Sequence, residues 1–174
     1  MLRKLLIMAG LLIVVSSCQN KSNERFTTSS KEIDLLKKGL ENYEDANWKE
    51  WIKQYSDSAK IYQNTWTSWK TPEETRTSHE QIIAQLSSYS FEKKELFFEQ
   101  IIDDRGRTWV NFWGLWKGTL KVNNKSIEIP VHLTILVADG KVINEYGYWN
   151  SAKLNEELKK AQLASSTIKN LKEN

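Results

Sequence analysis

Glu145 stands out among the side chains of this sequence that could move a proton. It lies in "VADGKVINEYGYWN" (137–150), a turn followed by a strand carrying one carboxylate and three aromatic residues. A carboxyl enclosed by such neighbours loses solvation, and its affinity for a proton rises toward neutral pH. Tyr146, Tyr148 and His132 are its candidate helpers, each able to donate to a developing negative oxygen. Side chains alternate across a strand, so the adjacent Glu145 and Tyr146 point to opposite faces and cannot act on one atom. Asn144, Tyr146 and Tyr148 share one face; Ile143, Glu145, Gly147 and Trp149 share the other. On the preceding strand, His132, Thr134 and Leu136 oppose Val131, Leu133 and Ile135. Glu145 and His132 therefore work together only if their faces agree. In "WVNFWG", Trp109, Asn111 and Trp113 oppose Val110 and Phe112. Either face of such a sheet can line a cavity.

The other chemistry is thin. Two separated histidines and a single cysteine, Cys18, give no metal-ligand spacing, and no metal or cofactor is expected. No phosphate loop or nucleophile elbow occurs. "DDRGR" is too short for a calcium loop, and Asp103 and Asp104 read as turn residues. His79 reads as a surface residue. The aromatic load is the stronger signal, with eight tryptophans in 174 residues. Trp66, Trp69, Trp109, Trp113 and Trp149, with Asn111 and Asn144, are candidates to hold a small apolar or sugar-like ligand by stacking. The competing reading is that these rings fill a wide core. Trp66 and Trp69 lie in a polar segment and are expected to be exposed.

These residues depend on the elements around them. Ser29 with Glu32 matches a capping box, and Ile33, Leu36, Leu40 and Tyr43 recur at helical spacing. A second start at Asn47 is followed by Trp48, Trp51, Ile52 and Tyr55. "AKIYQNTW" is a strand candidate. "TSWKTPEETRTSHEQ" is a polar connection in which Thr71–Pro72 can start a helix, and Ile82, Ile83 and Leu86 mark a short helix after Ser78. "KKELFFEQII", "TWVNFWGLWKGTLKV", "SIEIPVHLTILV" and the strand after "ADGK" are rich in aromatic and β-branched residues and separated by turns. Pro130 belongs at an edge or bulge, and Asn150 can cap a last helix. Helices followed by four consecutive antiparallel strands predict an α+β fold, a curved sheet wrapped around the N-terminal helices as a cone.

The first seventeen residues read as an export signal. Arg3 and Lys4 precede the apolar run "LLIMAGLLIVV", whose eleven residues at about 1.5 Å each fall short of a hydrocarbon core of roughly 30 Å. "VSSC" then resembles the lipobox of bacterial lipoproteins, with cleavage before Cys18 and acylation of its thiol. The expected organisation is a signal over 1–17, a lipidated cysteine and tether over 18–29, one domain over 30–162 and a frayed tail over 163–174. Of the 25 basic residues, loss of Arg3 and Lys4 leaves 23 against 22 acidic ones. Near-neutral charge without a basic cluster excludes nucleic acid as an expected partner. The expected location is the bacterial cell envelope, with the membrane as a partner through Cys18.

Across residues 31–162 the chain resembles the nuclear transport factor 2-like superfamily, a cystatin-like cone fold, and within it the SnoaL-like group. The resemblance rests on "IPVHLTILVADGKVINEYGYWNSAKL" and "WVNFWGLWKG". The aspartate usual at the helix cap is Asn150 here, which keeps the capping acceptor and loses the charge. The superfamily contains isomerases, cyclases, dehydratases and hydrolases beside non-catalytic binding and dimerisation domains. The expectation is non-catalytic binding of a small apolar or aromatic-compatible ligand, or of an envelope partner. The alternatives are an enzyme using Glu145 or His132 as acid/base, and a homodimerisation module acting through the sheet. A buried Glu145 with a raised pKa would favour the enzyme.

Overall fold

The computed structural model describes residues 25–173, so the export signal and Cys18 lie outside the described residues. No helix among the described residues is long and apolar enough to cross a membrane.

Helix α1 (Lys31–Glu44) starts one residue later than its sequence signal. Ser29 is held by Thr27, whose hydroxyl accepts from the Ser29 amide at 3.1 Å. Ser30 becomes the cap and accepts from the Ile33 amide at 3.1 Å. Helix α2 (Trp48–Lys53) follows, and strand β2 (Tyr55–Gln63) begins at once. This strand lies earlier than the "AKIYQNTW" reading, and Tyr55 belongs to it rather than to the helix. A register irregularity between Tyr55 and Lys60 breaks the alternation that would have revealed it. Helix α3 (Pro72–Ile83) carries a complete Thr71–Glu74 capping box with Pro72 in its first turn. It ends at Ile83, and Leu86 instead opens strand β3 (Leu86–Phe91), which the sequence reading missed. Another register shift, between Leu86 and Ser88, hides that strand.

Strands β4 (Phe97–Ile102), β5 (Thr108–Leu120), β6 (Ser126–Ala138) and β7 (Lys141–Trp149) form the expected antiparallel series. The short β1 (Phe26–Thr27), in the segment read as tether, pairs with Ile101 and Gln100 of β4. The described sheet order is β1-β4-β5-β6-β7-β2, and β3 pairs with the second half of β5. Beside β7, strand β2 runs parallel, so the sheet is mostly rather than wholly antiparallel. Pairing between β6 and β7 starts at Val131, so Pro130 has no partner on that side, as its missing N–H favours. Helix α4 (Ala152–Glu173) closes the chain, and Asn150 accepts from the Ala152 amide at 2.9 Å.

The concave face of the sheet carries the core. Val110, Phe112, Leu120, Ile127, Ile135 and Ile61 are almost wholly buried, packed with Ile33 and Leu36 of α1 and Leu154 of α4. Burying this apolar surface is the main force holding helices to sheet. Two glycines shape the wall. A Cβ on Gly118 would lie 2.3 Å from the Trp116 ring, and one on Gly147 would lie 2.4 Å from the Trp149 ring. Both rings can thus lie close against the sheet, leaving space between it and the helices.

Candidate functional site

That space is a cavity of about 360 Å³. Its walls come from α1 (Leu36, Gly39, Leu40, Tyr43), α2 and β2 (Trp51, Gln54, Tyr55), α3 (His79, Ile82) and the concave sheet (Phe91, Trp116, Ile129, Val131, Leu133, Glu145, Trp149). Lys70, Ile82 and Asn155 line it and are exposed, which marks the side open to solvent. Lys70 Nζ donates to Ser78 Oγ at 2.9 Å there.

Glu145 sits inside. It pairs with Ile135 on β6 and Ile61 on β2, both fully buried, and is itself 8 % exposed. Tyr55 Oη donates to Glu145 Oε2 at 2.6 Å. The other carboxylate oxygen has no hydrogen bond among the described residues. Burial raises the Glu145 pKa above the ordinary carboxylate value, and the Tyr55 hydrogen bond only partly opposes it. Tyr55 keeps its proton: burial, then the Glu145 charge, push its pKa well up. The Gln54 amide approaches the same hydroxyl.

His79 is a correction to the sequence reading. It lies well inside α3 and faces the cavity, its ring 5.3 Å from Tyr43 and 6.2 Å from Trp51. Burial, with Lys70 nearby, lowers its pKa to about 4, so it is a neutral imidazole at physiological pH. Nothing in the local sequence marked it, because the residues around it on α3 are polar. Tyr43 is likewise held neutral by burial.

Of the residues predicted to line a pocket, Trp149 lines this cavity, along with Glu145, while Trp113, His132 and Tyr148 line a second, more open pocket with Leu115 and Pro130. The others lie on the opposite, convex face or beside it. His132 pairs with Tyr148, on the face away from Glu145, so these two groups cannot act together. Its Nδ1 lies 3.1 Å from the Phe112 carbonyl oxygen and its ring stacks on Trp113 at 4.7 Å. Asn111 donates to Glu99 at 3.0 Å, and Asn144 lies 3.4 Å from the Tyr146 hydroxyl. Phe97, Trp113, His132, Tyr148, Trp66, Tyr146 and Tyr62 form a connected row of rings across this face, with Trp109 beside Tyr146. Trp66 is 74 % exposed and Trp69 47 %, as expected; Lys60 sits over the Trp69 ring. Asp103 is a turn residue: it accepts from the amides of Arg105 and Arg107, from the Arg107 side chain and from Trp109 Nε1. Among the described residues no cluster of His, Cys, Asp and Glu is arranged to hold a metal ion.

No family model and no curated protein matches the sequence. Solved structures do match the fold. A candidate polyketide cyclase from Xanthomonas campestris pv. campestris superposes with a TM-score of 0.59 at 12 % identity, covering 78 % of this chain and 99 % of that one. PrhC from Penicillium brasilianum gives 0.62 at 14 %, covering 80 % and 93 %. A candidate SnoaL-like polyketide cyclase from Shewanella putrefaciens gives 0.56 at 15 %, covering 82 % and 92 %. The chain therefore has the nuclear transport factor 2-like cone fold, α+β with a curved, mostly antiparallel sheet.

Proposed function

We propose that the cavity binds a small, largely apolar carbonyl compound and that Glu145 moves a proton at the carbon beside the carbonyl. The observation that carries this is a carboxyl buried in an apolar cavity, its pKa raised and its position fixed by Tyr55. The expectation from sequence leaned to binding alone; a buried, basic carboxylate supports proton transfer as well. In its ionised form Glu145 takes the proton, the C–H electrons pass to the carbonyl oxygen as an enolate, and the protonated Glu145 returns the proton to carbon. Neutral His79 of α3 and Tyr43 of α1, both lining the cavity, can donate to that oxygen. Neighbours described as candidate polyketide cyclases support the reading by fold alone. The test is deuterium uptake from heavy water into β-tetralone, a bicyclic ketone small enough for the cavity. Exchange well above that in buffer with equimolar acetate supports the proposal, and exchange no faster than that control overturns it.

Two further proposals concern setting. The leader sequence supports export and anchoring through an acylated Cys18, which predicts metabolic labelling by palmitate in the native bacterium. Labelling that persists in Cys18→Ser would end that reading. The ring row on the convex face, with Trp113 39 % and Phe97 50 % exposed, supports self-association through the sheet. Sedimentation of residues 25–174 should give twice the monomer mass and Trp113→Lys the monomer; a monomeric parent at tens of micromolar would rule it out.

A further inference from the structure

We propose that the open pocket on the convex face binds a small alkylated ammonium ion, held by the Trp113 and Tyr148 rings and the Glu95 carboxylate. This site is separate from the concave cavity and does not depend on the role of Glu145. The pocket measures about 350 Å³ and lies where the pairing of β6 with β7 begins, at Val131 and Trp149. Trp113, His132 and Tyr148 stand side by side on β5, β6 and β7, and Leu115 pairs with Pro130 next to them. Glu95 comes from the turn Lys93–Glu95 between β3 and β4.

Cations settle over electron-rich ring faces, best over tryptophan. Two other rings on this side already have one: Lys60 Nζ lies 5.0 Å from the centre of the Trp69 ring, and the Arg107 guanidinium 5.4 Å from that of Trp109. No side-chain cation lies over Trp113 or Tyr148 among the described residues, although Trp113 is exposed. Beside them, Glu95 makes no ion pair among the described residues. The nearby bases are engaged elsewhere, Lys93 with Glu44, and Lys117 with Glu92 at 3.1 Å and Glu128 at 3.4 Å. Lys94, next in sequence, does not pair with Glu95 either. Ring faces and a negative charge thus converge with no positive side chain to match them, and the complement is a cation. The remaining walls decide which one. Leu115, Pro130 and Val131 are apolar, which suits methyl and methylene groups and cannot replace the oxygen shell of a metal ion. His132 Nδ1 lies 3.1 Å from the Phe112 carbonyl oxygen, which only accepts, so Nδ1 carries the proton and Nε2 of the neutral ring is an acceptor. An alkylated ammonium answers each feature: its charge meets Glu95 and the rings, and its carbon groups meet Leu115 and Pro130.

The test compares choline with 3,3-dimethylbutan-1-ol, which has the same shape without the charge, by calorimetry on the full chain in maltoside micelles, which carry no ammonium group. Choline should bind at least about tenfold tighter than the neutral alcohol. Trp113→Leu should remove most of that preference. Glu95→Gln should weaken choline about threefold, the effect of one exposed charge pair. This second variant leaves every ring of the convex face in place, so its effect does not pass through self-association. Both positions are exposed, so neither substitution disturbs the core. Equal affinity for the two compounds overturns the proposal, as does the absence of choline binding up to about 50 mM. A preference that survives unchanged in either variant also overturns it, and its loss in Glu145→Gln would then put the ion in the concave cavity instead.

Discussion

Replacing Glu145 with glutamine should slow deuterium exchange into β-tetralone by about 10²–10⁴-fold, the usual contribution of a positioned base. Glutamine keeps the shape of the side chain and an oxygen that can accept from Tyr55, so affinity for the ketone should change far less than the rate. A loss confined to kcat, with KM nearly constant, separates a proton-transfer role from a packing role. The pH profile gives a second readout. Only the carboxylate is a base, so the wild-type rate should climb with pH through the raised pKa of Glu145, at a higher pH than an ordinary carboxylate would require. Stability should move the opposite way. The folded-state pKa lies above the unfolded value, near the ordinary 4.5, so the folded chain binds this proton more tightly. That contribution is complete below the unfolded pKa and is lost as pH rises through the folded one, by about 1.4 kcal/mol for each unit of separation. Urea midpoints should therefore fall between pH 4 and pH 8 for the wild type more than for Glu145→Gln. Parallel curves for the two proteins would show that Glu145 is not the desolvated carboxyl described above.

Of this site, Glu145 and Trp149 could be read from residues alone, and the reasons the rest could not are local. Alternation in "VINEYGYWN" correctly separated Glu145 from Tyr146 and grouped Glu145 with Trp149, because β7 is regular from Asn144 onward. Alternation also grouped His132 with Leu136 and against Val131, yet which face was concave depended on helices far away in sequence. Tyr55, the partner that fixes Glu145, was assigned to a helix because β2 begins directly after α2 and its register breaks. His79 escaped notice because a polar helix can turn one residue toward a cavity without any apolar stripe. The aromatic excess had two destinations: Trp51, Trp116 and Trp149 line the cavity, and Trp66, Trp69, Trp109 and Trp113 lie on the convex side or beside it. Composition counts rings and does not say which side of a sheet they take.

Phe112→Ala should cost about 3–5 kcal/mol, the largest stability loss expected of any single truncation on the concave sheet. Phe112 is fully buried at the centre of β5, its ring 5.2 Å from Phe91 edge-on and 5.1 Å from Phe98. It also covers Gly114, where a Cβ would stand 2.4 Å from the Phe112 ring, so no side chain on that glycine can fill the space left behind. The neighbouring rings are tied down: the Phe91 amide donates to Glu44 at 2.6 Å, which holds that strand to α1. A rigid surround collapses poorly, which places the cost toward the upper end of its range. Against a stability of about 5–15 kcal/mol for domains of this size, such a cost should lower the urea midpoint by about 1 M or more. A loss below 1 kcal/mol would mean that the concave face is not packed around Phe112. Phe91 lines the ligand cavity and Phe112 does not, so truncation behind Phe91 frees a wall of the site without removing any atom of it. Affinity for β-tetralone should weaken in this variant while the exchange rate of bound ketone holds, because Glu145 and Tyr55 are anchored on β7 and β2 instead.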